Sequence, residues 1–396
     1  MNARKAWAVA LATIFAGVAL ALVQNKVAPC MTTLMEAFDI DMAQAGWLSS
    51  LFSLVGIVMA IPASLVLNRL GPKKSGIGAL ACALAGSLIG VFTESAAVLA
   101  VSRVIEGVGV GLIAVIGPAL IAMWFPEAKR GLPMSIWGAY QMGAQAAMFF
   151  LGAVLTTSFG WQGMWWFAFA VSLVALVFYV LCVRSPRPED SHADVENSGV
   201  SLAEGLKSRS AWLLSLVTML FSLGCFGFVN WIATCWTETF GWSEGEANMW
   251  VGYFSIGGVI AAVIIGALLN KVRNRRRFGM VALVAYGIIS LVGMMMPDPL
   301  LIVAFVVVYA FADAGFPCVL WTMTAQSVER PEFVGIALGI VCIGFNLGVL
   351  LGPPIIGGVV EAFGWNVGAA AICGVCLLAT VALRFVKIYH ADEPAA

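Results

Sequence analysis

The stretch Ser64-Leu-Val-Leu-Asn68-Arg69-Leu-Gly71-Pro-Lys73-Lys74 is a short basic loop between two long apolar segments, and part of it recurs in the second half of the chain. There, Gly266-Ala-Leu-Leu-Asn270-Lys271 again ends an apolar segment with Asn followed by a base. Three further pairs of segments match at an offset of about 204 residues: Asn25-Lys-Val-Ala-Pro-Cys30 with Asn230-Trp-Ile-Ala-Thr-Cys235, Phe159-Gly160-Trp161 with Phe363-Gly364-Trp365, and Gly111 and Gly131 with Gly315 and Gly335. Shared apolar composition does not explain four matches at nearly one offset, so we infer two homologous halves.

The composition indicates a membrane protein. Of the 396 residues, 61% are hydrophobic and 11% are charged, whereas a soluble domain carries about 25% charged residues. A span across a bilayer needs about 20 mostly apolar residues. We therefore predict an all-α membrane protein with twelve transmembrane helices, at residues 6–32, 44–67, 75–95, 97–125, 132–158, 163–183, 211–237, 247–270, 277–296, 299–325, 333–361 and 365–386.

The division into domains follows from the one long polar stretch. Residues 184–210 contain Ser-Pro-Arg-Pro and mixed charges. We predict an N-terminal six-helix bundle at 1–183, a cytoplasmic linker at 184–210 and a C-terminal six-helix bundle at 211–396.

The distribution of Lys and Arg predicts the orientation. Basic residues lie at both termini, in the linker and after spans 2, 4, 8 and 10, which are all on one side of a twelve-span protein. The loops of the other side carry Asp and Glu but no Lys or Arg. Since cytoplasmic loops are enriched in basic residues, we expect both termini to be cytoplasmic, in a bacterial inner membrane.

The loop at 64–74 resembles the helix 2–3 signature of the major facilitator superfamily, G-x-x-x-D-R-x-G-R-R/K. Arg69, Gly71 and Lys73 fit this signature, while Ser64, Asn68 and Pro72 depart from it. The resemblance implies two pseudo-symmetric six-helix bundles with a substrate site between them near the membrane midplane. It also implies a cytoplasmic gate that the Asp of the signature holds closed through charge contacts. Asn68 carries no charge, so the gate is expected to close more weakly here. The residues expected at this gate are Asn68, Arg69, Gly71, Lys73, Asn270 and Lys271.

Two further motifs resemble signatures of the same superfamily. Arg103-Val-Ile-Glu106-Gly107-Val-Gly109 in the fourth span is similar to its R-x-x-x-G-x-G pattern. Gly348-x-x-x-Gly352-Pro353-Pro354-x-x-Gly357-Gly358 in the eleventh span resembles the signature of the antiporter branch, but that signature belongs to span 5, which lacks Gly-Pro here.

Four ionisable residues lie inside predicted spans: Lys26, Arg103, Glu106 and Asp313. Charges in the hydrocarbon region are costly, so they tend to face cavities or partners. Lys26 aligns with Trp231 when the two halves of the sequence are matched. A positive charge and an aromatic face at equivalent positions of the two halves suit a small anion or a carboxylate. The alternative is a lysine that reaches outward to the interface or pairs with an acidic residue.

Arg103 and Glu106 are three positions apart and can form a pair within one helix. That pair is either a structural one or a site at which substrate displaces Glu106, which then takes up a proton. Asp313 has no basic residue within a turn, so we expect it to bind a proton readily. It is either a proton-coupling group or a protonated carboxyl bonded to a backbone carbonyl. Other candidates for the substrate site are Tyr140, Gln141, Asn230, Trp321 and Asn346, for which bonding between helices is the alternative.

These observations favour secondary transport over other functions. We expect a small organic or inorganic anion to move with protons by alternating access, since the chain loosely resembles the cyanate/nitroimidazole-type branch. The alternatives are a proton-driven exporter of hydrophobic or cationic compounds and, in another class, a membrane sensor that does not transport. An enzyme is not indicated, and we expect no cofactor, metal or nucleic acid. The expected partners are a small-molecule substrate, protons and the lipid bilayer, with the monomer as the functional state.

Overall fold

The computed structural model describes residues 3–59, 62–126, 129–184, 202–269, 272, 274–295, 301–330 and 333–389. Fourteen α-helices are assigned within these ranges, together with a short 3-10 helix at Ala28–Cys30. They are α1 (Ala3–Asn25), α2 (Met31–Phe38), α3 (Met42–Ser50), α4 (Phe52–Met59), α5 (Pro62–Val91), α6 (Ala96–Trp124), α7 (Gly131–Cys182), α8 (Leu202–Gly205), α9 (Arg209–Phe240), α10 (Glu244–Leu269), α11 (Arg275–Met295), α12 (Ile302–Gln326), α13 (Val334–Phe363) and α14 (Trp365–Arg384).

The helices confirm the predicted all-α membrane architecture. In the described residues, 10 helices are long and apolar enough to cross a bilayer, and the bent pair α3 and α4 raises this number to 11. Helix α7 has 52 residues, about 78 Å if it were straight, whereas the hydrocarbon core is about 30 Å thick. It is interrupted at Gly160, which divides it into two spans and accounts for the twelfth.

The repeated Phe-Gly-Trp sequences have the same backbone geometry in both halves. Gly160 has φ 63° and ψ −169°, and Gly364 has φ 83° and ψ 169°. Glycine adopts this conformation without the steric cost that a Cβ imposes. Each glycine separates the last two spans of its half, so the repeat found in the sequence is present in the backbone.

The helices group into two compact units. Unit 1 comprises Met1–Ile40 and Leu51–Glu196, and unit 2 comprises Asp41–Ser50 and Asn197–Ala396. In unit 1, α1 packs against α6 and α7, and α5 packs against the same two helices. The domain limits that the sequence predicts, 1–183 and 211–396, stay a prediction; by its contacts, α3 belongs to unit 2.

In unit 2, α13 packs closely against α9 through a row of glycines. A Cβ on Gly344, Gly348 or Gly352 would collide with the carbonyl oxygens of Ser215, Met219 and Leu223, respectively. Small residues four apart allow helix backbones to approach this closely in membranes. The Gly-rich motif of the eleventh span therefore serves helix packing in this structure.

The two prolines of that motif leave backbone acceptors free inside α13. Pro354 cannot donate to the carbonyl of Leu350, and the Ser50 hydroxyl of α3 donates to that oxygen at 2.8 Å. Backbone groups in a bilayer must be satisfied within the protein. The packing of α3 on α13 thus meets a requirement that Pro354 creates.

Candidate functional site

A cluster of charged side chains lies inside unit 1, where three helices meet. Lys26 directly follows α1, and its Nζ lies 2.5 Å from Oε1 of Glu106 in α6. The same ammonium donates to Ser87 Oγ of α5 at 3.1 Å, and Ser87 donates to Glu106 Oε1 at 2.8 Å. Lys26 is therefore paired with an acidic residue, which is the alternative that the sequence left open for it.

Arg103 completes the cluster from the same face of α6 as Glu106. Its guanidinium lies 2.5 Å from Glu106 Oε2, as the spacing of three residues predicts. It also donates to the carbonyls of Val23 and Gln24 at 2.8 and 2.9 Å. These carbonyls belong to the last turn of α1, whose acceptors lack partners within the helix and favour a cation. Arg103 therefore binds α6 to the end of α1.

The three charged side chains are enclosed completely. Lys26, Arg103 and Glu106 each have an exposed fraction of 0%. In ionised form they carry two positive charges and one negative charge, and the carbonyls at the end of α1 offset part of the excess. Buried charges cost several kcal/mol each unless their partners compensate. A positively biased, donor-rich cluster of this kind favours the approach of an anion.

Two aromatic rings flank the cations. Lys26 Nζ lies 4.4 Å from the centroid of the Trp165 ring in α7, and the Arg103 guanidinium carbon lies 5.7 Å from the centroid of the Phe52 ring. Within the described residues, Nε1 of the buried Trp165 has no hydrogen-bond partner. Since buried donors are nearly always paired, this N–H is available to a ligand or to water.

Close helix packing sets the position of the cluster. A Cβ on Gly86 of α5 would lie 2.5 Å from Glu106 Cγ and 2.7 Å from the carbonyl oxygen of Ser102. A Cβ on Gly107 would lie 2.7 Å from the carbonyl oxygen of Phe52. The glycines therefore let α5 and α4 approach α6 closely at the level of Glu106.

Gln141 extends the polar path along α7. Its Nε2 donates to Gln24 Oε1 at 2.8 Å, while its own Oε1 is buried without a partner in the described part of the chain. Gln24 thus links Gln141 to Arg103, because its backbone carbonyl binds the guanidinium. Tyr140 is half-buried and packs on Trp137, with ring centroids 4.6 Å apart. Of the predicted substrate residues, the structure brings Lys26 and Arg103 together on Glu106, and Gln24 links Gln141 to Arg103.

Sequence reasoning missed Ser87 and Trp165. Ser87 has no signal of its own in an apolar span, since serines are common at helix contacts. Trp165 lies among the many tryptophans of the chain, 14 in all, which individually are expected at membrane interfaces. Only its position beside Lys26 distinguishes it.

Asp313 lies in unit 2, half-buried in α12. The Cys225 thiol of α9 donates to Asp313 Oδ1 at 3.4 Å. No Lys or Arg forms an ion pair with Asp313 among the residues that the structure describes. Tyr286 and Tyr309 lie in the same unit and share a hydrogen bond at 3.0 Å. Asp313 is thus a carboxyl group without a neutralising cation, as the sequence indicates.

Among the described side chains, the other predicted substrate residues of unit 2 make no hydrogen bond to Asp313. Asn230 accepts a hydrogen bond from Ser49 and donates to Phe226 O at 2.8 Å. Trp231 is fully buried, and its Nε1 donates to Pro353 O at 2.8 Å. Both residues join helices within unit 2, and this geometry does not favour the predicted contact of Trp231 with substrate. Asn346 donates to Cys342 O at 2.9 Å within its own helix, and Trp321 is 49% exposed.

The gate residues that can be described lie at the break in α5. Gly71 has φ 73° and ψ 164°, a conformation that favours glycine. Lys73 donates to the carbonyl of Val180 at 2.8 Å, an acceptor in the last turn of α7 that has no partner within the helix. The Tyr179 hydroxyl donates to Pro72 O at 3.0 Å. Arg69 is exposed, the side chain of Asn68 is not described, and Asn270 and Lys271 lie outside the described residues. The loop is therefore tied to the end of α7.

Apolar helices of membrane-spanning length in two repeated halves, with charged side chains enclosed among the described helices, are typical of membrane transport proteins. The family model described as Major Facilitator Superfamily matches residues 9–236 and 214–396. The chain belongs to this superfamily, as its motifs predict. It is a secondary transporter of small solutes and not an enzyme.

Relatives of known function match nearly the whole chain. The chain is 26% identical to the 2-nitroimidazole transporter of Escherichia coli over 368 residues, which cover 89% of this chain and 88% of the relative. It is 24% identical to the phosphoglycerate transporter protein of Salmonella typhimurium, over 92% of this chain and 85% of the relative.

Solved structures share the fold. The nucleoside transporter NupG matches with a TM-score of 0.78 at 15% identity, over 95% of this chain and 99% of that structure. A D-xylose-proton symporter matches with a TM-score of 0.75 at 17% identity, over 98% and 99%. At these identities the similarity concerns the fold alone.

Proposed function

We propose that this chain moves a small organic or inorganic anion together with protons across the bacterial inner membrane by alternating access. The observation that carries this proposal is the enclosed cluster of Lys26, Arg103 and Glu106. Its two cations contact one carboxylate, each at 2.5 Å. An anionic substrate competes with Glu106 for the same donors, and this competition is the basis of coupling.

Coupling follows from the charge of the cluster. When an anion binds Lys26 and Arg103, Glu106 loses its partners in a medium of low dielectric constant, where an unpaired carboxylate is strongly disfavoured. Uptake of a proton by Glu106 removes this cost. Anion and proton then enter together and leave the total charge of the cluster unchanged. The helix movement of alternating access therefore adds little electrostatic free energy.

Substrate needs helix movement to reach the cluster, since its three charged side chains are fully buried. In this proposal the loop at Gly71 and Lys73 belongs to the cytoplasmic gate together with Asn68 and Arg69, and Asn270 and Lys271 are the counterparts of Asn68 and Arg69 in the second sequence repeat. Both termini are on the cytoplasmic side, as the basic loops indicate. The monomer is the functional unit, because unit 1 alone supplies every member of the cluster.

The named relatives support a small substrate. Phosphoglycerate, which names the relative from Salmonella typhimurium, is an anion that Lys and Arg side chains bind well. Tyr140 and Gln141 would complete the substrate site in unit 1.

A second candidate function rests on Asp313. A half-buried carboxyl without a neutralising base suits either a proton that drives transport or a cationic substrate that is exported. Under the first proposal, Asp313 is a second proton-binding group. Under the alternative, it binds the exported cation.

The test is ligand stabilisation of the purified full chain, followed by transport in proteoliposomes. A ligand that binds the folded state raises the Tm by mass action. We expect carboxylates, organic phosphates or inorganic anions to raise the Tm, with a larger effect at acidic pH, and Lys26→Ala to abolish both this shift and transport while the variant remains folded. Lys5→Ala, an exposed basic residue of α1, is the matched control. Normal transport by Lys26→Ala would contradict the anion site, and stabilisation by lipophilic cations alone would favour the exporter.

A further inference from the structure

A basic cavity lies in unit 2, at the ends of α9 and α14. It has a volume of about 560 Å³ and is lined by Arg209, Ser210, Leu213, Phe385, Lys387 and Tyr389. Arg209 is the first residue of α9, and Lys387 follows the last turn of α14, which ends at Arg384. The cavity therefore lies where two membrane-spanning helices reach the same membrane surface.

The wall of the cavity is held in place by hydrogen bonds. The amide of Lys387 donates to the buried Ser210 Oγ at 3.3 Å, and the amide of Tyr389 donates to Gln326 O at 2.9 Å. The Arg276 guanidinium donates to Val386 O at 3.2 Å. These hydrogen bonds thus fasten the described segment after α14 to α9, α11 and α12.

The described wall of the cavity carries positive charge. No Asp or Glu is among the described residues that line it, and in the same part of the chain the side chains of Arg209 and Lys387 form no ion pair. A neighbouring cavity of about 320 Å³ shares Arg209 and Tyr389. Glu204 and Arg330 line it and pair with each other at 3.1 Å, and Glu329 and Lys207 line it as well.

Polar and apolar groups are arranged in the cavity as an amphiphile requires. Leu213 and Phe385 provide apolar surface, and the Phe385 side chain is 65% exposed beside the two cations. Trp212, next along α9, is 45% exposed and donates through Nε1 to Leu206 O at 2.9 Å. Tryptophan and tyrosine at span ends mark the level of lipid headgroups.

We propose that this cavity binds the headgroup of an anionic phospholipid. The phosphate is held between Arg209 and Lys387 with Ser210 and Tyr389 as further donors, and the acyl chains run along Leu213 and Phe385. A soluble phosphate satisfies the two cations but leaves the apolar surface uncovered, and a zwitterionic lipid brings its own cation. Both are therefore weaker ligands. The site is separate from the proposed transport site, since the two have no residue in common.

The test is titration of the detergent-solubilised full chain with short-chain phosphatidylglycerol, with Tm as the readout. Phosphatidylcholine and inorganic phosphate are titrated in parallel. We expect phosphatidylglycerol to raise the Tm, and the double variant Arg209→Gln/Lys387→Gln to raise its apparent Kd about thirtyfold, as two lost basic contacts at a membrane surface predict. Arg209→Lys/Lys387→Arg keeps both charges and should retain the effect.

The control is Lys5→Gln/Lys74→Gln, which removes the same charge from exposed positions of unit 1 and should bind as the unaltered chain does. Three results would overturn the proposal: an unchanged Kd in Arg209→Gln/Lys387→Gln, an equal loss in the control, or a Tm shift of the same size with inorganic phosphate. Transport of anions is not the readout, so this test fails or succeeds separately from the proposed function.

Discussion

Lys26 and Glu106 are 80 positions apart in the chain, yet their charged atoms meet at 2.5 Å with neither side chain exposed. Glu106 binds Arg103 at the same distance through its other oxygen. One carboxylate therefore serves two cations from different helices, and this unequal arrangement makes the three residues experimentally distinguishable.

Replacing Lys26 and replacing Glu106 should lower the free energy of unfolding by different amounts. Lys26→Met leaves Glu106 paired with Arg103, whereas Glu106→Gln leaves two buried cations without a carboxylate. We expect Glu106→Gln to lower the free energy of unfolding by about 3 kcal/mol and Lys26→Met to lower it much less. Thermal unfolding in detergent measures both. The double variant Lys26→Met/Glu106→Gln should regain part of the loss; if Glu106→Gln is as stable as Lys26→Met, the cluster is not compensated as described.

The glycine behind Glu106 should be intolerant of a methyl group. Gly86→Ala places a Cβ 2.5 Å from Glu106 Cγ and should displace α6, at a cost of about 1 to 3 kcal/mol. Gly78→Ala in the same helix meets nothing within 4 Å and should be neutral or slightly stabilising, because Ala is the better helix former. Unfolding temperatures of the two variants decide this, and equal values would show that α5 and α6 are not packed as closely as Gly86 indicates.

Trp165 offers a test of ligand contact that is separate from stability. Its Nε1 has no partner among the described residues, so Trp165→Phe removes no hydrogen bond within the protein. Because Trp165 is fully buried against Trp161 and Lys26, the smaller ring should lower the Tm, and the readout is the affinity for the anion. If the anion accepts this N–H, the apparent Kd for the anion should rise about tenfold, which corresponds to about 1.4 kcal/mol. Trp166→Phe is the control, since Trp166 is 45% exposed and packs on Phe92 and Phe169. An unchanged Kd in Trp165→Phe would remove Trp165 from the substrate site.

Asp313→Asn should separate transport from its driving force. The variant keeps a side chain of the same shape beside Cys225 but cannot exchange a proton. We expect exchange of labelled substrate across proteoliposome membranes to persist, while accumulation driven by a pH gradient is lost. Cys225→Ser, which retains a donor to Asp313, is the matched control and should accumulate substrate. Undiminished accumulation by Asp313→Asn would exclude Asp313 from proton coupling.

The sequence by itself determined the features that depend on local chemistry. Span number followed from apolar segments of bilayer length, and the Phe-Gly-Trp pairs located two breaks where glycine adopts positive φ, at Gly160 and Gly364. The pair of Arg103 and Glu106 followed from their spacing along one helix. Each of these depends on residues close together in the chain.

The tertiary structure decided which side chains meet across helices. The spans are apolar on nearly every side, because lipid-facing and core-facing residues are alike in a bilayer, so composition does not fix the rotation of each helix about its axis. That rotation turned Lys26 toward Glu106, placed Ser87 and Trp165 beside it, and enclosed Trp231 against Pro353. The charged residues of the cluster could be identified from the sequence, but the packing of α1, α5, α6 and α7 determined their partners.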